Sequence, residues 1–193
     1  MKTKTYEKLY DSLEPGTICR RSTLLTLSKA IDRDLGILTR RGVLEKLAGG
    51  LYYKPKISRL GRLPPNEQEL IACFLNDNNF LLYSWNQYNS LGFGLTQLYN
   101  QSIVYNRKRH GLFRLGNKTY DFRRPNNGFP NEITAEFLVI DLLNTLDELA
   151  EDKDVVKLQI KDNLHRFDTY KIKELALTYG KISTKHFLQE FEN

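Results

Sequence analysis

The chain has 193 residues, 40% of them hydrophobic and 27% charged, ordinary proportions for a soluble globular protein of one medium domain or two small ones. No apolar run approaches the roughly 18 residues that cross a bilayer, which excludes a helical membrane protein. The opening MKTKTYEKLY has charge but no apolar core, so export is not expected and a cytoplasmic location is.

Tyr6 to Leu13 reads as a short amphipathic helix with Tyr6, Leu9, Tyr10 and Leu13 on one face, broken by Pro15-Gly16. Ser22 is placed to cap a second helix through Ser28, carrying Leu24, Leu25 and Leu27. The spacing of Ile31, Leu35 and Leu38 predicts a third helix over Lys29–Arg41, with Gly42 as its stop. Val43–Leu47 and Leu51–Lys54 read as two strands joined by a turn at Ala48-Gly49-Gly50. Three helices and a hairpin in about 50 residues are the layout of a winged helix-turn-helix, assigned to residues 1–56. The segment PKISRLGRLPPN, residues 55–66, is rich in proline and cations, and 57–66 is taken as a linker.

In residues 67–193, Asn66 is positioned to cap a helix through Leu75, Phe80–Tyr83 reads as a strand, and Ser84 opens a helix stopped by Gly92. Residues 103–105, 112–115 and 119–122 alternate as strands, with a turn at Gly116-Asn117. Helices then follow over about 133–149, 155–167, 170–179 and 184–191. The expected fold class is α+β: an N-terminal winged helix-turn-helix, then a small domain with an antiparallel sheet and C-terminal helices.

Charge placement directs the functional reading. Of the net +6, residues 1–65 hold 14 Lys and Arg against 6 Asp and Glu, whereas residues 66–193 hold 15 against 17. That asymmetry suggests a polyanion-binding module joined to a domain with another job. On the third helix, Lys29, Arg33, Gly36 and Arg40 fall opposite the apolar stripe, with Arg41 in the last turn, a pattern suited to a helix lying in a DNA major groove. Lys46 and Lys54 on the hairpin, and Arg20 and Arg21 before the second helix, are candidate phosphate contacts. A second basic surface is expected from Arg107, Lys108, Arg109, Arg114, Lys118, Arg123 and Arg124, which face one acid, Asp121, between residues 103 and 124. It would extend a DNA footprint or meet RNA or an acidic partner. Glu132, Glu136, Asp147, Glu148, Glu151, Asp152 and Asp154 make an acidic stretch suited to a protein partner. Cys19 and Cys73 read as reduced thiols, no histidine pairs with them at metal-ligand spacing, and no cofactor is called for. GxxxxGK[ST], GxGxxG, HExxH, CxxC and GxSxG are all absent, so no enzyme is expected.

The run AIDRDLGILTRRGVLEKLAGGLYYKP, residues 30–55, resembles the winged helix-turn-helix of the abortive-infection (type IV toxin–antitoxin) antitoxins and their relatives. The likeness extends through SRLGRLPP, residues 58–65, and EQEL, and more weakly through SLGFGLTQ, residues 90–97, to Arg124. Arg33, Arg40 and Arg41 lie within the matched run and Lys29 just outside it; where the family often has an arginine before the wing-tip glycine, this chain has Gly49. The resemblance implies a DNA-binding domain that represses its own operon, and a C-terminal domain that counteracts a nucleotidyltransferase-like toxin encoded alongside. Two other readings stay open: a protein-interaction antitoxin acting mainly through its C-terminal domain, and a small nucleic-acid-processing enzyme.

Overall fold

The computed structural model of the chain describes residues 5–190. The initial MKTK of the export reading and Phe191 of the last expected helix lie outside the described residues. The fold is mixed α and β, with antiparallel pairing and helices at the C-terminal end. Helices are α1 (Thr5–Asp11), α2 (Arg21–Leu24), α3 (Ile31–Arg40), α4 (Glu67–Leu75), α5 (Ala135–Thr145), α6 (Lys153–Asn163), α7 (Thr169–Tyr179) and α8 (Ile182–Gln189). Strands are β1 (Ile18–Arg20), β2 (Glu45–Ala48), β3 (Leu51–Tyr53), β4 (Ile57–Ser58), β5 (Gly61–Arg62), β6 (Phe80–Ser84), β7 (Ser102–Asn106), β8 (Gly111–Leu115) and β9 (Lys118–Arg123). They pair in the orders β1-β3-β2, β4-β5 and β6-β7-β9-β8. Two compact units result: Met1–Asn78 with Leu112–Tyr120, and Asn79–Gly111 with Asp121–Asn193.

The first unit is organised by α3. Ile31, Leu35 and Leu38 are buried with Tyr6, Leu9 and Leu13 of the α1 segment and with Leu24 and Leu44. Each such leucine contributes about 1.5–3 kcal/mol by leaving water. The helix starts at Ile31, two residues later than expected; its N-cap residue is Ala30, which offers no side-chain cap, and Ser28 ties the entry instead. Ser28 Oγ accepts from Ala30 N–H at 3.0 Å and donates to the buried Asp34 Oδ2 at 2.7 Å. An acid in the first turns also suits the positive end of the helix dipole. At the other end, Gly42 takes φ +68°, its N–H reaches Thr39 O and Val43 N–H reaches Leu38 O, the paired bonds of a Schellman stop.

Three expectations change here. The second helix is one turn, Arg21–Leu24, and Ser22 lies inside it instead of capping it; Leu25 and Leu27 are exposed, so only Leu24 anchors the segment. The strand β1 was not foreseen: three residues are too short for a periodic signal, and Ile18–Arg20 is a strand because Tyr53–Leu51 offers it a partner. Residues 57–66 are no bare linker but hold the β4–β5 hairpin, and the compact unit runs on through α4, capped as expected by Asn66 Oδ1 on Glu69 N–H. The tip of the β8–β9 hairpin belongs to this unit too: Gly116 N–H donates to Leu47 O at 2.8 Å, and Phe113 packs on Phe74.

In the second unit, β6 runs antiparallel to β7 with Phe80 opposite Asn106 and Ser84 opposite Ser102. The helix opened by Ser84 is a 3-10 helix, Trp85–Leu91. Phe137–Leu143 of α5 is buried throughout, and within it stands an acid, Asp141. The hydroxyls of Tyr83, Tyr88 and Tyr105 donate to its carboxylate at 2.5, 2.6 and 2.7 Å. Burial pushes the Asp141 carboxyl up, and the three hydroxyls pull it back. This cluster joins β6, the 3-10 helix, β7 and α5 at one point. Asp141→Ala would remove the shared acceptor of three buried hydroxyls, of which Tyr88 keeps Thr145 Oγ1 at 3.1 Å, and is expected to cost roughly 3 kcal/mol, read from urea unfolding of the second unit's tryptophan signal.

Candidate nucleic-acid interface

A helix can grip a polyanion only with cations that the fold has not already engaged. On α3, Arg33 has a side chain 70% exposed, its Nε 3.7 Å from Asp34 Oδ1. Arg40, one face-repeat further on, is exposed, and Gly36 lies between them. A Cβ at Gly36 would meet only Arg40 Nη1, at 3.6 Å, so the chain itself leaves room there; its lack of a side chain flattens the outer face. Both acids of the helix are accounted for. Asp34 is buried on Ser28, and Asp32 is gripped by Arg21 through two bonds of 2.5 and 2.6 Å. The Arg21 guanidinium holds the Asp32 carboxyl below its ordinary value. The outer face of α3 is therefore positive, with its one exposed carboxylate neutralised.

Other expected contacts are placed differently. Lys29 precedes α3 in the turn after Ser28; it is exposed but is not on the helix. Arg41 lies over the Tyr6 ring at 4.7 Å. Arg21 is the partner of Asp32 and so is not an unengaged phosphate contact. Arg20 donates to Cys73 O at 3.3 Å, turned toward α4. Lys54 is corrected outright: it is buried, its Nζ donates to Tyr10 O and Leu13 O at 2.8 and 2.7 Å, and it lies 3.6 Å from the Tyr10 ring centroid. Its charge closes the carbonyl end of the α1 segment, where cations suit the dipole. Of the two lysines on the hairpin, Lys46 on β2 is the exposed one. The turn there is Gly49-Gly50, and Arg21 N–H donates to Gly50 O at 2.7 Å, tying the tip to α2.

The second basic surface disperses into separate roles. Lys118 pairs with Glu67 at 2.6 Å. Arg114 Nε donates to Gly116 O at 3.3 Å. Arg123 is corrected to a half-buried, engaged residue: it bridges Asp121 and Glu148, each at 2.7 Å, and stacks 5.1 Å over Trp85. The Arg107–Arg109 loop is shaped by Asn106, whose Oδ1 accepts from the N–H groups of Lys108 and Arg109. Arg124 and His110 line a cavity of about 930 Å³ together with Lys181 and Lys185. Those two lysines are held by the carbonyls of Asn144 and Leu177.

Cys19 and Cys73 are free thiols, and burial pushes Cys19 up to about 11. Among the described residues no group of three or more His, Cys, Asp and Glu could hold a metal ion, and no helix is long and apolar enough to cross a membrane. No protein-family model matches the chain, and comparison with curated proteins and with solved structures likewise finds no match.

The internal role of Lys54 separates stability from binding. Lys54→Met is expected to lower stability by about 2 kcal/mol, the worth of charge-assisted bonds to two helix-end carbonyls, and, because the side chain is buried, to leave any polyanion binding by the surface cations, tested with a DNA duplex below the melting transition, within about twofold. Thermal melts and fluorescence anisotropy on the same preparation read the two effects.

Proposed function

We propose that the first unit is a winged helix-turn-helix that binds duplex DNA with α3 in the major groove, and that the chain is a transcriptional regulator. The carrying observation is the outer face of α3, where Arg33 and Arg40 stay exposed while Asp34 is buried and Asp32 is neutralised. Support also comes from the helix and strand order of this unit, in which α1, α2 and α3 are followed by a hairpin whose second strand pairs with β1. Lys29 and Lys46 add exposed charge at the margins. The regulator is read further as the antitoxin of a two-gene abortive-infection system that represses its own operon, on the resemblance carried by residues 30–65. In anisotropy titrations with duplex from upstream of its own reading frame, affinity is expected to fall steeply with salt. Arg33→Ala and Arg40→Ala are each expected to reduce the slope of log K against log salt by about one, as one phosphate contact is lost. Binding indifferent both to salt and to these substitutions would sink the reading.

One observation favours a direct protein-binding role for the second unit beside DNA binding. Val155, Leu158, Tyr170, Leu177 and Ile182 on α6, α7 and α8 are each more than half exposed. Large apolar side chains left in water on several neighbouring segments of sequence mark interaction surfaces more often than single ones do. The product of the adjacent reading frame, expected to be nucleotidyltransferase-like, is the partner this reading names. Co-elution of the two purified proteins, lost with the pair Leu158→Glu and Leu177→Glu, is the expected outcome; separate elution of the wild-type proteins rejects it.

A further inference from the structure

The turn joining β4 to β5 presents Leu60, 98% exposed. It is not a loose loop. Ser58 Oγ accepts from Leu60 N–H at 3.1 Å and donates to Gly61 O at 3.0 Å, and Gly61 takes φ +105° to close the turn. Below the tip, Tyr53 OH donates to Leu63 O at 2.9 Å, fixing the hairpin's exit to β3. Ile57, 67% exposed, adds a second aliphatic group, and Lys56, Arg59 and Arg62 are all exposed around them. From Lys46 to Asn66 the sequence carries five cations and no acid.

The place of this hairpin matters as much as its composition. Arg62 Nη1 lies 3.5 Å from Glu45 Oε1, and a Cβ built on Gly42 would stand 3.5 Å from Arg62 Nη2. The second strand of the hairpin therefore lies against the turn that ends α3. A lone exposed leucine calls for no explanation. A leucine on a pinned tip, ringed by cations and next to the end of a helix proposed to enter a groove, has the make-up of a wedge. Such wedges push an aliphatic side chain between base steps of the minor groove while neighbouring Arg and Lys hold the flanking phosphates.

We propose that the β4–β5 hairpin is a minor-groove wedge, with Leu60 entering a base step next to the major-groove segment taken by α3, and Arg59 and Lys56 on the flanking backbone. This rests on the reading of α3 as a DNA-binding helix. The partner is duplex DNA and not an anionic lipid surface, because one leucine and one isoleucine bury little in a bilayer, whereas a single side chain suffices to open a flexible pyrimidine–purine step.

The test uses the full chain and a duplex of about 30 base pairs, room for two half-sites a helical turn apart, with 2-aminopurine replacing the adenine of a central TpA step. Wild-type protein is expected to raise the 2-aminopurine fluorescence, and the minor-groove ligand netropsin to compete. Leu60→Ala is expected to abolish the fluorescence rise and weaken binding about tenfold, the fold-change that corresponds to burying one leucine. Leu60→Met, still an aliphatic wedge, is expected to keep both. Arg59→Ala is expected to lower the salt slope by about one. A substitution at so exposed a position leaves the fold unchanged, so failure to fold does not blur the result. If Leu60→Ala keeps fluorescence and affinity while Arg33→Ala weakens binding, the wedge is overturned and the α3 reading stands. If wild-type protein does not bind the duplex, both fall. Leu60-dependent sedimentation with phosphatidylserine vesicles, without a fluorescence rise on DNA, overturns the wedge in favour of a lipid surface.

Discussion

A charged side chain can leave water only where partners replace its hydration, and that constraint sorts the ionic residues of this chain into two populations. Asp34, Lys54 and Asp141 are buried, and each is met by partners: Asp34 by Ser28 on Oδ2 and, more loosely, by the Arg33 guanidinium 3.7 Å from Oδ1; Lys54 by the carbonyls of Tyr10 and Leu13; and Asp141 by three tyrosine hydroxyls. They act as pins. Asp34 fixes where α3 begins, Lys54 joins the end of β3 to the end of α1, and Asp141 gathers β6, β7, α5 and the 3-10 helix. What remains outside, in Arg33 and Arg40 above all, is the charge available to a partner. The interface is thus defined as much by which cations the fold engages as by which it displays.

The same logic explains where the sequence was readable. Helix α3 was legible because three apolar residues at helical spacing must face one core, and Gly42 was legible because a left-handed stop favours glycine. The caps at Asn66 and Ser84, the turn at Gly116-Asn117 and the C-terminal helices were legible for similarly local reasons. Ser28 was not, since it stands three residues before the helix and ties its entry through Ala30 N–H and a buried acid, an arrangement that shows only when both are in place. Nor could Lys54 be told from Lys46: the pattern puts both on hairpin strands, whereas Lys54 follows the end of β3, where the chain end of α1 meets it. Asp141 did carry a signal, one acid in the otherwise apolar run FLVIDLL, and an acid there must find buried donors. The β4–β5 hairpin was hidden because proline and cations read as linker, although Ser58 and Gly61 suffice to close a tight turn between them.

Edges impose a further limit on the hairpin β2–β3. In the order β1-β3-β2, strand β2 is an outer strand, and a bare outer strand invites pairing with other chains. Gly116 covers part of it through Leu47 O, its glycine backbone close enough that a Cβ would stand 3.2 Å from Leu47 Cδ2. The tip itself is tied by Gly50 O to Arg21 N–H. A hairpin tied at these points has little freedom to rearrange, which leaves α3 and the β4–β5 hairpin as the parts of this unit that carry exposed cations without such ties.

Counting charges along a sequence overstates basic surfaces for the same reason that it overstates salt bridges: pairing is decided in space. Seven cations between residues 103 and 124 looked like a footprint, yet Arg123 satisfies two carboxylates and stacks on Trp85, Lys118 answers Glu67, and Arg114 turns back onto its own turn. An ion pair at contact distance leaves only a dipole, whose field falls off faster than that of a lone cation and is screened beyond about 8 Å at physiological salt. The excess of eight positive charges in residues 1–65 survives that subtraction better: of its 14 cations, Arg21, Arg33 and Arg62 stand in ion pairs and Lys54 is held by carbonyls, yet the Arg33 side chain stays 70% exposed in a loose pair of 3.7 Å, and Arg40, Lys46, Lys56 and Arg59 are exposed. A net excess concentrated on one helix face and one hairpin is the kind of charge distribution that, in general, raises the local concentration of a polyanion near a surface.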